Sequence, residues 1–254
     1  MARKLVEGER VFVPTSRIGG MEDVPSVVWE TSVVAAEPGK VKVQLRQGAV
    51  SEWIGSGLCH RNIGILILTL GDLKTEQTLL DPLAKSVLQY CRLLVPDDHV
   101  KAYKIRSLAE LKAIWSVEQA NYSHVILIGH GSQDSLLLAN EGWAGREAIA
   151  KAFQKRGAKK KVFISLCCKT GYQSLGGMLS KMAICSQFIA PFQSVHGAIA
   201  SQFAQTFLAY HLLQGESTGV AFKHARESTP GSTSFRLWKK GKLKAGESAA
   251  REQE

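Results

Sequence analysis

The sequence predicts an α/β protein in which helices cover both faces of a mainly parallel sheet, preceded by a small all-β module. Three features of the chain point this way. From residue 61 onward, short apolar runs alternate with amphipathic stretches, the order in which a parallel sheet is wound. Those short apolar runs fit strands of a sheet buried on both sides. Before residue 61, β-branched runs follow one another between Gly and Pro turns without a helical period.

In residues 1–60, RVFVP, SVVWETSVVAAE, KVKVQL and SEWI read as strands, and Glu37-Pro38-Gly39 supplies a turn. This rhythm resembles a Src-homology-3-like barrel, with Trp29, Trp53 and the valines in its core. Residues 61–228 form the larger α/β domain. Its strands are expected at 64–70, 100–105, 124–128, 161–166 and 182–190, and its helices at about 76–91, 107–116, 145–156, 174–181 and 195–213. The remaining 229–254 read as an edge element and a charged tail. No repeat period is visible.

The N-terminus lacks the apolar run of a signal peptide, and 63–70, among the longest hydrophobic stretches, is too short to span a bilayer. A soluble, cytoplasmic protein without membrane contact is expected. The five cysteines are odd in number, and the adjacent pair Cys167-Cys168 has no CxxC spacing, so reduced thiols are expected rather than disulfides or zinc. Cys59, Cys91 and Cys185 read as core thiols. No phosphate-binding glycine motif follows the first strand, and no cofactor is expected.

The net charge of +10 is the feature that suggests an anionic partner. Residues 1–60 are balanced, however, and the excess gathers at 155–161 and 239–244. Such runs are usually solvated faces. Nucleic acid stays a lesser reading, beside a catalytically silent scaffold.

In an open parallel sheet, the loops at the carboxyl ends of the strands form the active crevice. After HVILI comes Gly129-His130-Gly131-Ser132, and after KVFISL comes Cys167-Cys168-Lys169-Thr170-Gly171. If the two strands are neighbours, their ends lie about 5 Å apart, and a histidine faces a cysteine. An imidazole beside a thiol takes its proton and makes a strong nucleophile, helped by the positive end of a helix starting near Gln173. The N–H groups of Gly131 and Cys168 are candidate oxyanion donors. The implied reaction is acyl transfer.

The strings HVILIGHGS, then DSLLL, and VFISLCCKTG resemble the CHAT and metacaspase branches of the caspase-like cysteine peptidases, as does the stretch from Ile184 to Ala225. The resemblance covers about 63–227. It implies a three-layer caspase-like sandwich and a regulated endopeptidase acting on protein substrates, often in bacterial defence or cell-death systems. It makes His130 the general base. Matching the Lys169-Thr170-Gly171 turn makes Cys168 the nucleophile, whereas matching the strand end favours Cys167; the turn is preferred. Metacaspases carry an acidic specificity residue where this chain has Leu166, which leaves Asp134 as the acidic candidate for the substrate pocket. The N-terminal module would recruit a regulatory protein or hold the enzyme inactive.

Overall fold

The computed structural model describes residues 4–20, 27–155 and 157–247. In the N-terminal module, β1 (Arg10–Pro14), β2 (Val28–Glu37), β3 (Lys40–Val43) and β4 (Ile54–Gly55) pair in that order as an antiparallel meander. Gly39, at φ 81°, makes the tight β2–β3 turn in a conformation that only glycine adopts without strain. Past β4, one helical turn (Ser56–Leu58) brings His60 back to β1, where it exchanges both main-chain hydrogen bonds with Phe12, at 2.7 and 2.8 Å. Val11, Val13, Val33, Val41, Val43 and Ile54 fill the module's own core. Trp53, expected inside, is exposed, with the Lys40 ammonium 4.7 Å above its ring. The alternate face of β1 and β2, through Phe12 and Val28, joins the core of the larger domain.

That domain follows as β5 (Ile65–Leu70), α1 (Leu73–Thr75), α2 (Asp81–Leu94), β6 (Val100–Ile105), α3 (Leu108–Glu118), β7 (His124–Ile128), a hairpin of β8 (Ser135–Leu138) and β9 (Gly142–Gly145), and α4 (Arg146–Ala152). It ends with β10 (Lys161–Ser165), β11 (Cys185–Pro191), α5 (Gly197–Leu208), α6 (Thr218–Ser228), β12 (Phe235–Lys239) and β13 (Lys242–Ala245). The seven-stranded sheet has the order β13-β12-β11-β10-β7-β5-β6. β6, β5, β7, β10 and β11 run parallel; β12 and β13 are antiparallel additions.

Alternation along the strands sorts the sheet into two cores. Ile65, Ile67, Ile126, Ile128, Ile164 and Ile189 face α2, α5 and α6. Leu66, Leu68, Val125, Leu127, Phe163 and Phe188 face α3 and α4, where Trp115 and Phe153 pack edge to face. Both faces are therefore dry, and the apolar runs of the sequence are explained. Each such side chain contributes about 1.5–3 kcal/mol on burial.

Other expectations change as well. The segment at 174–181 is one wide turn over Gln173–Gly177 that continues for two residues, because Gly176 packs so closely on Thr170 and Trp238 that a methyl there would come 2.8 Å from the Thr170 carbonyl. The edge element after residue 228 is a hairpin whose first strand, β12, is interior: Phe235, Leu237 and Trp238 are buried, and β13 is the edge. The 4-residue hairpin strands β8 and β9 were not foreseen in the loop after His130. The tail from 248 lies outside the described residues.

Candidate active site

β7 and β10 are hydrogen-bonded neighbours, with Val162 opposite His124 and Ser165 opposite Leu127, so the loops that follow leave the sheet side by side. Glycines on both sides of His130 make this closeness possible. A methyl on Gly129 would come 2.3 Å from the Leu70 carbonyl oxygen at the end of β5. One on Gly131 would come 2.5 Å from Thr170 Cγ2 and 2.7 Å from the Cys168 carbonyl oxygen. The His130 loop thus rests on the cysteine loop through Gly131. Leu137 N–H donates to His130 O, and Ser132 N–H to Ser135 O. Gly131 and Leu136 form the non-hydrogen-bonded pair between them, which turns the Gly131 N–H away from the hairpin. Among the described residues, neither this N–H nor that of Cys168 has a protein acceptor.

Buried hydroxyls shape the cysteine loop. Thr170 Oγ1 donates to Cys167 O at 2.8 Å, Ser165 Oγ donates to Thr170 Oγ1 at 2.8 Å, and Cys167 N–H donates to Ser165 Oγ at 3.3 Å. Gly171 N–H donates to Pro191 O, and Trp238 Nε1 donates to Gly171 O at 2.8 Å, tying the loop to β11 and β12. Lys169 takes the left-handed conformation, φ 61°, which holds the turn open at a non-glycine residue.

β10 ends at Ser165 rather than at Leu166, so strand alternation does not separate the two cysteines; the turn does. Cys167 has no exposed surface, packs in the apolar cluster on the α3–α4 face, and burial pushes its thiol up to about 12. Cys168 is half-buried. Its Sγ accepts from Val195 N–H at 3.4 Å and lies 3.6 Å from Val195 O. A main-chain N–H aimed at sulfur is a donor suited to a thiolate. The helix expected near Gln173 is a five-residue wide turn, which has no developed dipole.

His130 is half-buried, and its Nε2 lies 2.6 Å from Thr75 Oγ1. Thr75 Oγ1 donates to Asp72 Oδ1 at 2.7 Å, and Thr75 N–H caps α1 on the same oxygen at 2.9 Å. These two bonds hold the Asp72 carboxyl below the usual carboxylate range. Neither residue stood out in the sequence; the signal available was Asp-x-x-Thr, a helix cap directly after an apolar strand.

The pocket candidates lie apart. Asp134 is exposed, with Oδ1 accepting from Ser132 Oγ at 2.9 Å. Leu166 is 3% exposed within the core shared with α2 and α5. His196 caps α5 through Nδ1. Cys91 and Cys185 are buried and raised to about 12; Cys59 is half-buried and raised to about 11.

The amino end of the sheet holds a cluster that the sequence did not reveal. The His211 ring lies 5.2 Å from that of His124 and 5.9 Å from that of His60. Burial and mutual repulsion push His60 down to about 4 and His124 well below the usual imidazole range; burial also lowers His211. No group of three His, Cys, Asp or Glu side chains among the described residues is placed to hold a metal.

The domain is thus a mainly parallel sheet between two helical layers. Among solved structures, the chain is similar to a secreted C11 cysteine protease from Bacteroides thetaiotaomicron, determined in complex with an irreversible peptide inhibitor. The TM-score is 0.52 at 8% identity, and the match covers 70% of this chain and 66% of that one. No protein-family model and no curated protein sequence matches the chain. No helix among the described residues is long and apolar enough to cross a membrane.

Proposed function

We propose that the chain is a caspase-like cysteine endopeptidase of the CHAT/metacaspase type, with His130 as general base and Cys168 as nucleophile. The observation that carries this is the seating of Gly131 on the Cys168 carbonyl, which joins the loops of two hydrogen-bonded strands at the carboxyl edge of the sheet. His130 takes the thiol proton, and Cys168 Sγ attacks the peptide carbonyl carbon. The Gly131 and Cys168 N–H groups hold the tetrahedral oxyanion. The carbonyl reforms as a thioester, and the amine leaves with the proton from His130. Water, deprotonated by His130, then releases the acid and restores the thiol.

Cys168 is favoured over Cys167 because a thiol without exposed surface, raised to about 12, is a poor nucleophile at neutral pH. Asp134 is the candidate carboxylate for a basic substrate side chain, since Leu166 is packed in the core. The N-terminal module is read as a Src-homology-3-like barrel on its meander and its His60–Phe12 return, and as the site where a regulatory protein binds. In this reading the enzyme is a regulated bacterial protease of a defence or cell-death system.

The test is iodoacetamide labelling of Cys168 against pH, with peptide-library cleavage. Labelling is expected well below pH 8 and is expected to move to ordinary thiol behaviour in His130→Ala. Identical profiles in the two proteins would leave a silent scaffold as the correct reading.

A further inference from the structure

The hydrogen bonds around His130 determine which ring nitrogen carries its proton. A carboxylate is acceptor-only, and a threonine hydroxyl has one proton. Thr75 Oγ1, 2.7 Å from Asp72 Oδ1, therefore gives its proton to the carboxylate. Its lone pair is what faces His130 Nε2 at 2.6 Å, so Nε2 must be the donor. The Asp72 carboxyl is held ionised by the same hydroxyl and by the Thr75 amide, with the His130 charge adding to the effect. The direction of the whole chain is thus set from its acidic end.

We propose that Asp72 and Thr75 are positioning residues for the reaction: together they hold neutral His130 as the Nε2–H tautomer and leave Nδ1 as the ring's basic atom. This rests on the peptidase reading above for its catalytic meaning. When Nδ1 takes the Cys168 proton, the Nε2–H bond to Thr75 is kept and the Asp72 carboxylate faces the new imidazolium through one hydroxyl. Gly71, at φ 142°, lies beside the ring: a methyl there would meet His130 Cδ2 at 3.5 Å, an ordinary contact distance, and would come 2.4 Å from Leu80 Cδ1. α1 is only three residues long, and Asp72 as its cap keeps Thr75 in reach.

The test reads the tautomer directly. Nitrogen-15 NMR of ring-labelled protein above the histidine titration is expected to show His130 protonated at Nε2 and bare at Nδ1. Thr75→Val removes both roles of the hydroxyl at nearly constant volume and is expected to mix the tautomers and slow Cys168 labelling about tenfold at pH 7; Thr75→Ser restores both. Asp72→Asn keeps the cap acceptor but removes the charge, and moves the labelling midpoint upward by about one pH unit. A wild-type ring protonated at Nδ1, or a Thr75→Val protein with unchanged tautomer and labelling profile, overturns the proposal. The two readings fail separately. His130→Ala without effect on labelling sinks the dyad, whereas a His130-dependent thiol that ignores Thr75→Val sinks only the relay.

Discussion

His124 and His130 stand at opposite ends of β7, and the sheet treats them in opposite ways. At the amino end, His124 is buried beside His60 and His211, and Nε2 of both His124 and His60 is buried without a partner among the described residues. Burial and neighbouring imidazoles keep this group neutral. At the carboxyl end, His130 is half-buried, takes a directed bond from Nε2 to Thr75, and sits one residue from a glycine pressed onto the cysteine loop. Lys161 extends the pattern at the amino end of β10, where burial pushes it down to about 8 while its Nζ donates to Tyr122 O. The amino edge is built by packing, the carboxyl edge by hydrogen-bonded polar groups, among them the half-buried His130 and Cys168. Residue type alone carries neither role.

The largest effect that sharpens this contrast is expected from the adjacent cysteines. Cys168→Ala should lower kcat/KM on a cleaved peptide by at least about 10^4-fold, the scale for losing a nucleophile. Cys167→Ala should retain turnover and lose about 1 kcal/mol of folding stability. Equal losses of turnover in the two variants would break the division between a reachable and an enclosed thiol.

At the amino end the expected effect is on stability, and it has a definite sign. The three histidines have folded pKa values below the unfolded 6.5, so the native state binds fewer protons than the unfolded one. Their contribution is complete above about pH 6.5 and drains away as the pH falls toward the folded values, about 4 for His60. Between pH 7.5 and 5.5 the unfolding free energy should fall by about 1.4 kcal/mol through His60, with His124 and His211 adding in the same direction. Urea titrations at the two pH values measure it, and His211→Phe should shrink the loss. An unchanged acid limb in that variant would mean the cluster is not its source.

Gly131→Ala tests the contact between loops. Its methyl has no room beside Thr170 and Cys168 O, and the loops must part, which should reduce peptide cleavage about 10^2-fold with little change in the urea midpoint. Retained cleavage would mean that the seating does not position the site. The smallest effect is expected at Trp238→Phe, which removes the Nε1 bond to Gly171 O and should cost about 1 kcal/mol, with a few-fold slower Cys168 labelling.

Much of this architecture was legible in the sequence because strands buried on both faces write themselves as continuous apolar runs. β5, β7 and β10 lie within a residue of where those runs stop, whereas β6 is an edge strand with Lys101, Ala102 and Lys104 exposed that matches its expected bounds without being buried on both faces. β12 was harder to read: its Arg236 and flanking lysines resemble an exposed edge, yet Arg236 is 1% exposed, with its guanidinium 3.8 Å from the Phe192 ring centre and Nε donating to Glu247 O. Such partners come from distant segments, and no local pattern announces them.

The sequence by itself determined the alternation of strand and helix, the antiparallel module ahead of it, and a histidine and a cysteine in the loops after two strands with one helix between them. Local periodicity and turn chemistry are enough for that, since they depend on near neighbours along the chain. Only the tertiary structure decided that Cys167 is enclosed and Cys168 reachable, that Asp72 and Thr75 stand behind His130, and that His60, His124 and His211 meet at the other edge. Burial and hydrogen-bond direction arise from residues brought together by packing, and the protonation of a side chain follows from those surroundings.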